Sequence, residues 1–294
     1  MTITLEDYID DSGFIDVPRI IEDGKINALF PGLLVDVDQI RKTDFPLLDS
    51  TRRVYLDSTA TSQEPDSVKD RMHQFRKERL RGSNHSKNSA EARSAQEAYL
   101  HAKQSLSDLF TASQYHLAFT SGTTSSSNAI ATRFRFSPHD LVLFTAGEHN
   151  SQVITARNFA SAAGSDIQFV EVNKEGILDL NHLETIIKSS RKRRFLMNLV
   201  HSSNVSGVVN PVTDVKKILG PRGVIYLDAA QSAGHIPMDL DSLDVDFVGM
   251  SAHKMYGPMG IGALFVNKRS QGYLTDRVSG GSAVITNSRL RFIP

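Results

Sequence analysis

The chain has 294 residues, enough to bury a sizeable core in one large domain or two. Thirty-three basic residues balance thirty-three acidic ones, so no net field favours nucleic acid or an anionic membrane. The absence of cysteine excludes disulfides, thiolate metal sites and a cysteine nucleophile within the chain, and no metal is expected.

The N-terminal Met1 to Tyr8 is acidic and carries neither a signal-type apolar run nor the Arg/Ser bias of a transit peptide. No stretch approaches the roughly 18 apolar residues that span a bilayer, so a cytoplasmic, membrane-free protein is expected. Residues 1–50, punctuated by Pro18, Pro31 and Pro46, read as an N-terminal arm, and residues 51–294 as the main domain. Val54 to Ser58 predicts a short strand and Pro65 to about Lys77 a helix, with Pro65 suited to a first turn. Arg81 to Ser86 reads as a loop. Ser89 to Phe110 reads as one long helix, striped by Ala92, Ala95, Ala98, Tyr99, Ala102, Leu106 and Leu109.

From there strands and helices alternate. His116 to Thr120 predicts a strand, Ser121 to Ser126 a loop, and Ser127 to Phe134 the start of a helix. Strands follow at Leu141–Phe144, Ile167–Val172, Phe195–Val200 and Val224–Leu227, with helices at Asn150–Ala163, His182–Lys188 and Val212–Leu219 between them. Two more apolar runs, Asp246–Met250 and Ile261–Val266, flank a glycine-rich loop centred on Lys254. The pattern implies an α/β fold with right-handed crossovers and a mostly parallel sheet covered on both faces. Ligands then bind just beyond the carboxyl ends of the strands. The basic run Arg191 to Arg194 lies in a connection, where a solvated turn is a simpler reading than a nucleic-acid patch.

The strand ends carry chemistry. Ser121-Gly122-Thr123-Thr124 at a helix start offers free amides and hydroxyls to a phosphate, although such runs also serve as plain caps. His149 can stack on a flat ligand or move protons. His201 to Gly207, with Asn204, supplies short polar groups able to hydrogen-bond a ligand. Asp228 at the end of an apolar strand needs a cation, and a pyridinium nitrogen would supply one. Gln231 follows one turn on, and Lys254, beside Ser251 and His253, comes at the end of the neighbouring predicted strand. A phosphate cradle, a stacking histidine, a buried aspartate and a loop lysine are the groups that pyridoxal 5′-phosphate requires.

These residues resemble the class V aminotransferase family, PLP-dependent enzymes of fold type I, and within it the cysteine desulfurase and selenocysteine lyase branch. The matching pieces are Val54 to Thr61, Thr120 to Thr124, Gly147 to Asn150, Ser203 to Gly207, Leu227 to Gln231 and Ser251 to Pro258, within a resemblance from about Asp44 to Phe292. The resemblance implies a seven-stranded, mostly parallel large domain binding PLP over residues 51–294. It implies that Lys254 holds the cofactor as a Schiff base and moves protons at the substrate Cα. Asp228 would pair with the ring nitrogen, Gln231 with the ring hydroxyl, and His149 would stack on the ring and share in catalysis. Asn204 would sit near the ring oxygen and substrate, and Thr124, Ser251 and His253 would hold the phosphate beside the backbone of Gly122 and Thr123. A homodimer acting on a small α-amino acid is expected, with Gly280-Gly281-Ser282 reaching the partner's site. The chain ends at Pro294, about where the family's small C-terminal domain begins, so the arginine that grips the substrate carboxylate and the persulfide cysteine have no counterpart here. Two alternatives follow: a truncated relative that binds PLP or a partner without full catalysis, or a carbon–sulfur lyase or transaminase of the family, which needs no cysteine.

Overall fold

The computed structural model describes residues 36–78, 82, 83, 86 and 88–275. The expectation for the Gly280-Gly281-Ser282 loop, and most of those for the Arg81 to Ser86 loop and the first 35 residues, lie outside the described residues. Among the described residues, those up to Tyr55 belong to one compact unit and those from Leu56 onward to another.

In the first unit, Asp36 caps α1 (Val37–Asp44) by accepting the Gln39 amide at 2.9 Å. Helix α2 (Pro46–Ser50) follows with Pro46 in its first turn. Arg41 donates to the carbonyls of Leu48 (2.8 Å) and Arg53 (2.6 Å), which ties the pair together. The strand predicted at Val54–Ser58 does not form. Residues 53–57 join no sheet, and Val54 and Leu56 stay exposed. An apolar run has strand propensity, but a strand needs a neighbouring edge to pair with.

The second unit begins with α3 (Asp66–Glu78) and α4 (Ala90–Leu109), the latter capped by Ser89, which accepts the Ala92 amide at 3.1 Å. Then come β1 (Tyr115–Thr120), α5 (Thr123–Arg133), β2 (Asp140–Thr145), α6 (Asn150–Ala162), β3 (Asp166–Val170) and α7 (Leu180–Ser189). The chain continues through β4 (Arg194–Val200), α8 (Val212–Leu219), β5 (Gly223–Asp228), α9 (Leu240–Leu243), β6 (Phe247–Ser251) and β7 (Gly262–Asn267). Seven strands make one sheet in the order β1-β7-β6-β5-β4-β2-β3. Strands β2 to β6 pair parallel, while β7 runs antiparallel to both β6 and β1.

Alternate residues of each central strand feed two cores. Leu143, Met197, Ile225 and Val248 pack with α7 and α8 on one face. Val142, Leu196, Val224, Tyr226 and Phe247 pack with α5 and α6 on the other. By the same two-residue period, Asp228 follows Tyr226 and Ser251 follows Phe247 onto the α5 and α6 face. Two strand ends thus deliver polar side chains to one corner of the molecule.

The basic run 191–194 is structural. Lys192 pairs with Asp166 at 2.8 Å and Arg194 with buried Asp140 at 2.6 Å, and the Arg194 guanidinium lies 4.6 Å above the Phe134 ring. Among the described residues no helix is long and apolar enough to cross a membrane, and no cluster of metal-ligating side chains occurs.

Candidate functional site

A cavity of about 240 Å³ opens where β1, β2, β4, β5 and β6 end. Of the ten residues expected from the sequence, it is lined by Thr123, Thr124, His149, Asn204, Asp228, Gln231, Ser251, His253 and Lys254. Gly122 stands just behind the wall as the cap of α5.

The helix that carries the hydroxyl row begins at Thr123, not at Ser127 as the sequence suggested. Serine and threonine are indifferent helix formers, but packing of α5 against β6 and β7 overrides propensity. Gly122 enters that helix with φ 143° and ψ −179°, a conformation open essentially to glycine alone. The turn brings the Thr123 amide to 2.8 Å from Ser251 Oγ, and the Thr123 hydroxyl lies 2.8 Å from the same atom. First-turn amides, two threonine hydroxyls and Ser251 form a compact anion cradle.

Asp228 closes β5 and is only 3% exposed. Its Oδ1 accepts the Ala230 amide at 2.8 Å. Burial pushes its carboxyl above the ordinary range, while the Ala230 amide, the nearby Gln152 amide and the positive character of His149 and Lys254 pull it back. Gln152 approaches without closing a hydrogen bond, since neither end of its amide has a partner. A buried carboxylate so weakly compensated is one that a cationic ligand group would satisfy.

Lys254 sits on the 3₁₀ turn Ala252–Lys254 directly after β6. Desolvation lowers its pKa, only partly offset by Asp228, so more of the amine is neutral and nucleophilic near neutral pH. The turn is clamped from a distant part of the sequence. The His253 carbonyl accepts the Ser62 amide (2.8 Å) and the Thr61 and Ser62 hydroxyls (3.0 Å each). Ser62 Oγ also accepts the Tyr256 amide at 2.7 Å, and His235 Nε2 lies 2.7 Å from the Lys254 carbonyl. Sequence reasoning placed residues 54–58 in a strand and gave Thr61 and Ser62 no role. Their signal, a hydroxyl pair in a turn after a short apolar run, has no local meaning without the loop it grips.

His149 caps α6 through its own ring, with Nδ1 2.8 Å from Ser151 Oγ, and its exposed imidazole faces the cavity. His253 is held at low pKa by burial and by Lys254, so it serves an anion as a neutral N–H donor and not as a cation. Gln231 lines the cavity, but its amide nitrogen donates to the Thr59 carbonyl at 2.7 Å. Its second amide hydrogen and its oxygen remain for a ligand hydroxyl. Two further buried groups, Glu148 and Gln152, were not anticipated as site residues, because their burial arises from the packing of α6 on the sheet.

The class V aminotransferase model matches residues 54–291. The chain belongs to the class V aminotransferase family. A cysteine desulfurase of Haloferax volcanii is 34% identical over 257 residues, 79% of this chain and 58% of that protein. A probable cysteine desulfurase of Chlamydia muridarum is 33% identical over 250 residues, 83% and 62% of the two chains. Among solved structures, the apo cysteine desulfurase of Thermococcus onnurineus NA1 superposes with a TM-score of 0.74 at 30% identity, covering 83% of this chain and 60% of that one. A cysteine desulfurase from Escherichia coli gives a TM-score of 0.72 at 28% identity, covering 84% and 62%. The chain therefore spans about 60% of the length of these relatives. Class V enzymes depend on pyridoxal phosphate, and the seven-stranded unit with its reversed β7 is the large-domain sheet of fold type I. The cavity's lining matches that cofactor's chemistry: it brings together an anion cradle, an under-compensated buried carboxylate and an amine of lowered pKa.

Proposed function

We propose that this cavity binds pyridoxal 5′-phosphate and that the chain acts, as a cysteine desulfurase-like member of its family, on a small α-amino acid. The observation that carries the reading is the convergence of Lys254 and Asp228 on one cavity that also holds the α5 cradle. In this reading Thr124, Ser251, His253 and the Gly122–Thr123 backbone would hold the phosphate, and Lys254 would bind the aldehyde carbon. Asp228 would keep the ring nitrogen protonated, His149 would cover the ring, and the Asn204 and Gln231 amides would serve the ring oxygen. When bound, the cofactor supplies an electron sink at the substrate Cα. Lys254 would be the base that moves the Cα proton. A homodimer is the expected assembly.

A sulfur atom taken from cysteine would pass to a thiol outside these 294 residues, which hold no cysteine.

Addition of PLP to the protein is expected to produce a visible absorbance band distinct from that of free PLP. Lys254→Ala is expected to abolish that band while the far-ultraviolet circular dichroism stays unchanged. A spectrum identical in the two proteins would place the amine elsewhere and sink the assignment.

A further inference from the structure

Beneath the cavity lies a buried polar layer that the proposed chemistry leaves unused. Glu148, 9% exposed, sits between β2 and α6. Its Oε1 accepts the Thr145 hydroxyl at 2.7 Å, and its Oε2 is sealed from solvent without a hydrogen-bond partner. Gln152, fully buried one turn along α6, leaves both ends of its amide unpaired. Asn198 Nδ2 and Tyr226 Oη, opposite one another on β4 and β5, are likewise orphaned. Asp228 stands on the same face as Tyr226, within electrostatic reach of Glu148. Buried polar groups without partners, beside two buried acids, are costly.

Ionising two neighbouring buried carboxyls sets like charges against each other out of water, so one of them holds a proton. Hydrogen bonds favour the ionised form of both acids, from the Ala230 amide at Asp228 and from the Thr145 hydroxyl and Val200 backbone at Glu148. The charges of His149 and Lys254 favour ionised Asp228, whereas the charge that acts on Glu148 is the opposing one of Asp228. The remaining titratable neighbours carry no positive charge: burial pushes Tyr226 up and His201 down, leaving both neutral. Glu148 is thus the acid that stays protonated, and burial followed by the Asp228 charge raises it to about 8.

We propose that Glu148 is a proton reservoir for the Asp228 subsite, neutral while no cation occupies it and ionised once a positive ring nitrogen is seated on Asp228. The proton count closes in either route. A ring that arrives unprotonated takes the Glu148 proton by way of Asp228, and none is exchanged with solvent. A ring that arrives protonated causes that proton to leave for solvent. In both cases the occupied site holds two carboxylates facing one cation. Glu148 is therefore a positioning residue, fixing the charge at Asp228 without touching the cofactor. The inference rests on reading the cavity as a PLP site.

The test compares the wild-type chain with Glu148→Gln, which keeps shape but holds no exchangeable acid. Calorimetry of PLP binding at pH 7 in two buffers of different ionisation heat counts protons. The wild type is expected to take up close to one proton fewer than Glu148→Gln. In a second arm, the PLP-free proteins are unfolded by denaturant at several pH values. A group raised from 4.5 to about 8 in the folded state contributes stability that is lost as pH climbs through that window, by about tenfold in the folded-to-unfolded ratio per unit. Glu148→Gln is expected to show a correspondingly shallower decline. Equal proton counts, or equal pH slopes, would overturn the reservoir. Binding of PLP by neither protein, with the slopes still different, would instead overturn the cofactor reading.

Discussion

Asp228→Asn is expected to weaken PLP binding by about 100-fold or more while making the PLP-free protein more stable. The two effects share one cause. A carboxylate 3% exposed with its pKa raised by burial is unfavourable alone and favourable only against a cation. Removing one partner of a buried charge pair costs roughly 3–5 kcal/mol, and every 1.4 kcal/mol is about a tenfold change in affinity. For the empty protein the sign reverses. The folded state holds the Asp228 proton more tightly than the unfolded chain, so stability falls as pH rises from the ordinary carboxylate range through the raised value. Asparagine has no such slope, and a higher denaturant midpoint at neutral pH is expected, a stability–activity trade of the usual kind. PLP titration by absorbance and denaturant unfolding of the same two preparations check both halves. Loss of affinity together with loss of stability would show Asp228 to be a structural carboxylate and not a ligand group.

Gly262→Ala is expected to destabilise the protein by about 3 kcal/mol or more and to remove PLP binding with it. An added Cβ at this position would lie 2.4 Å from the Met250 carbonyl oxygen, 2.6 Å from Gly122 Cα and 2.9 Å from Gly122 N. All three are backbone atoms, so no side chain can turn aside, and overpacking of this kind is among the mutations with large cost. The clash falls where β7 crosses behind the α5 cap, so whatever relief the chain finds moves the cradle. Gly260→Ala is the control, because no atom lies within 4 Å of a Cβ there; its φ of 82° still strains an alanine, by about 1 kcal/mol. A melting temperature for Gly262→Ala no lower than that of Gly260→Ala would contradict this account of the packing behind the cradle.

Much of this arrangement is legible in the sequence because it depends on local pattern. Apolar runs such as Phe195–Val200 and Val224–Leu227, separated by helical stripes, dictate a parallel two-faced sheet, and such a sheet dictates where ligands bind. The residues that follow its strands, from Thr123 to Lys254, accordingly line one cavity. What is not legible depends on partners far along the chain. The run at Val54–Ser58 has strand propensity and no edge to pair with. The reversal of β7 is invisible in an apolar run that reads the same in either direction. The clamp on the lysine turn links Thr61 and Ser62 to His253 across some 190 residues of sequence. The acidity of Glu148 is likewise a property of desolvation, set by α6 and the sheet together.

The same division explains why Gln231 was only half understood. Its place one turn after Asp228 is a local fact, but the bond from its amide to the Thr59 carbonyl comes from the folding of a remote turn against the site. A residue assigned to the ligand by spacing is in fact shared between the ligand position and the scaffold.

The measurement closest to the centre of the account is reductive trapping. The protein is incubated with PLP, treated with borohydride, digested, and its peptides weighed. A single reduced pyridoxyl-phosphate adduct on the peptide carrying Lys254 is the expected result. Lys254 recovered unmodified, with the label scattered over surface lysines, would contradict it.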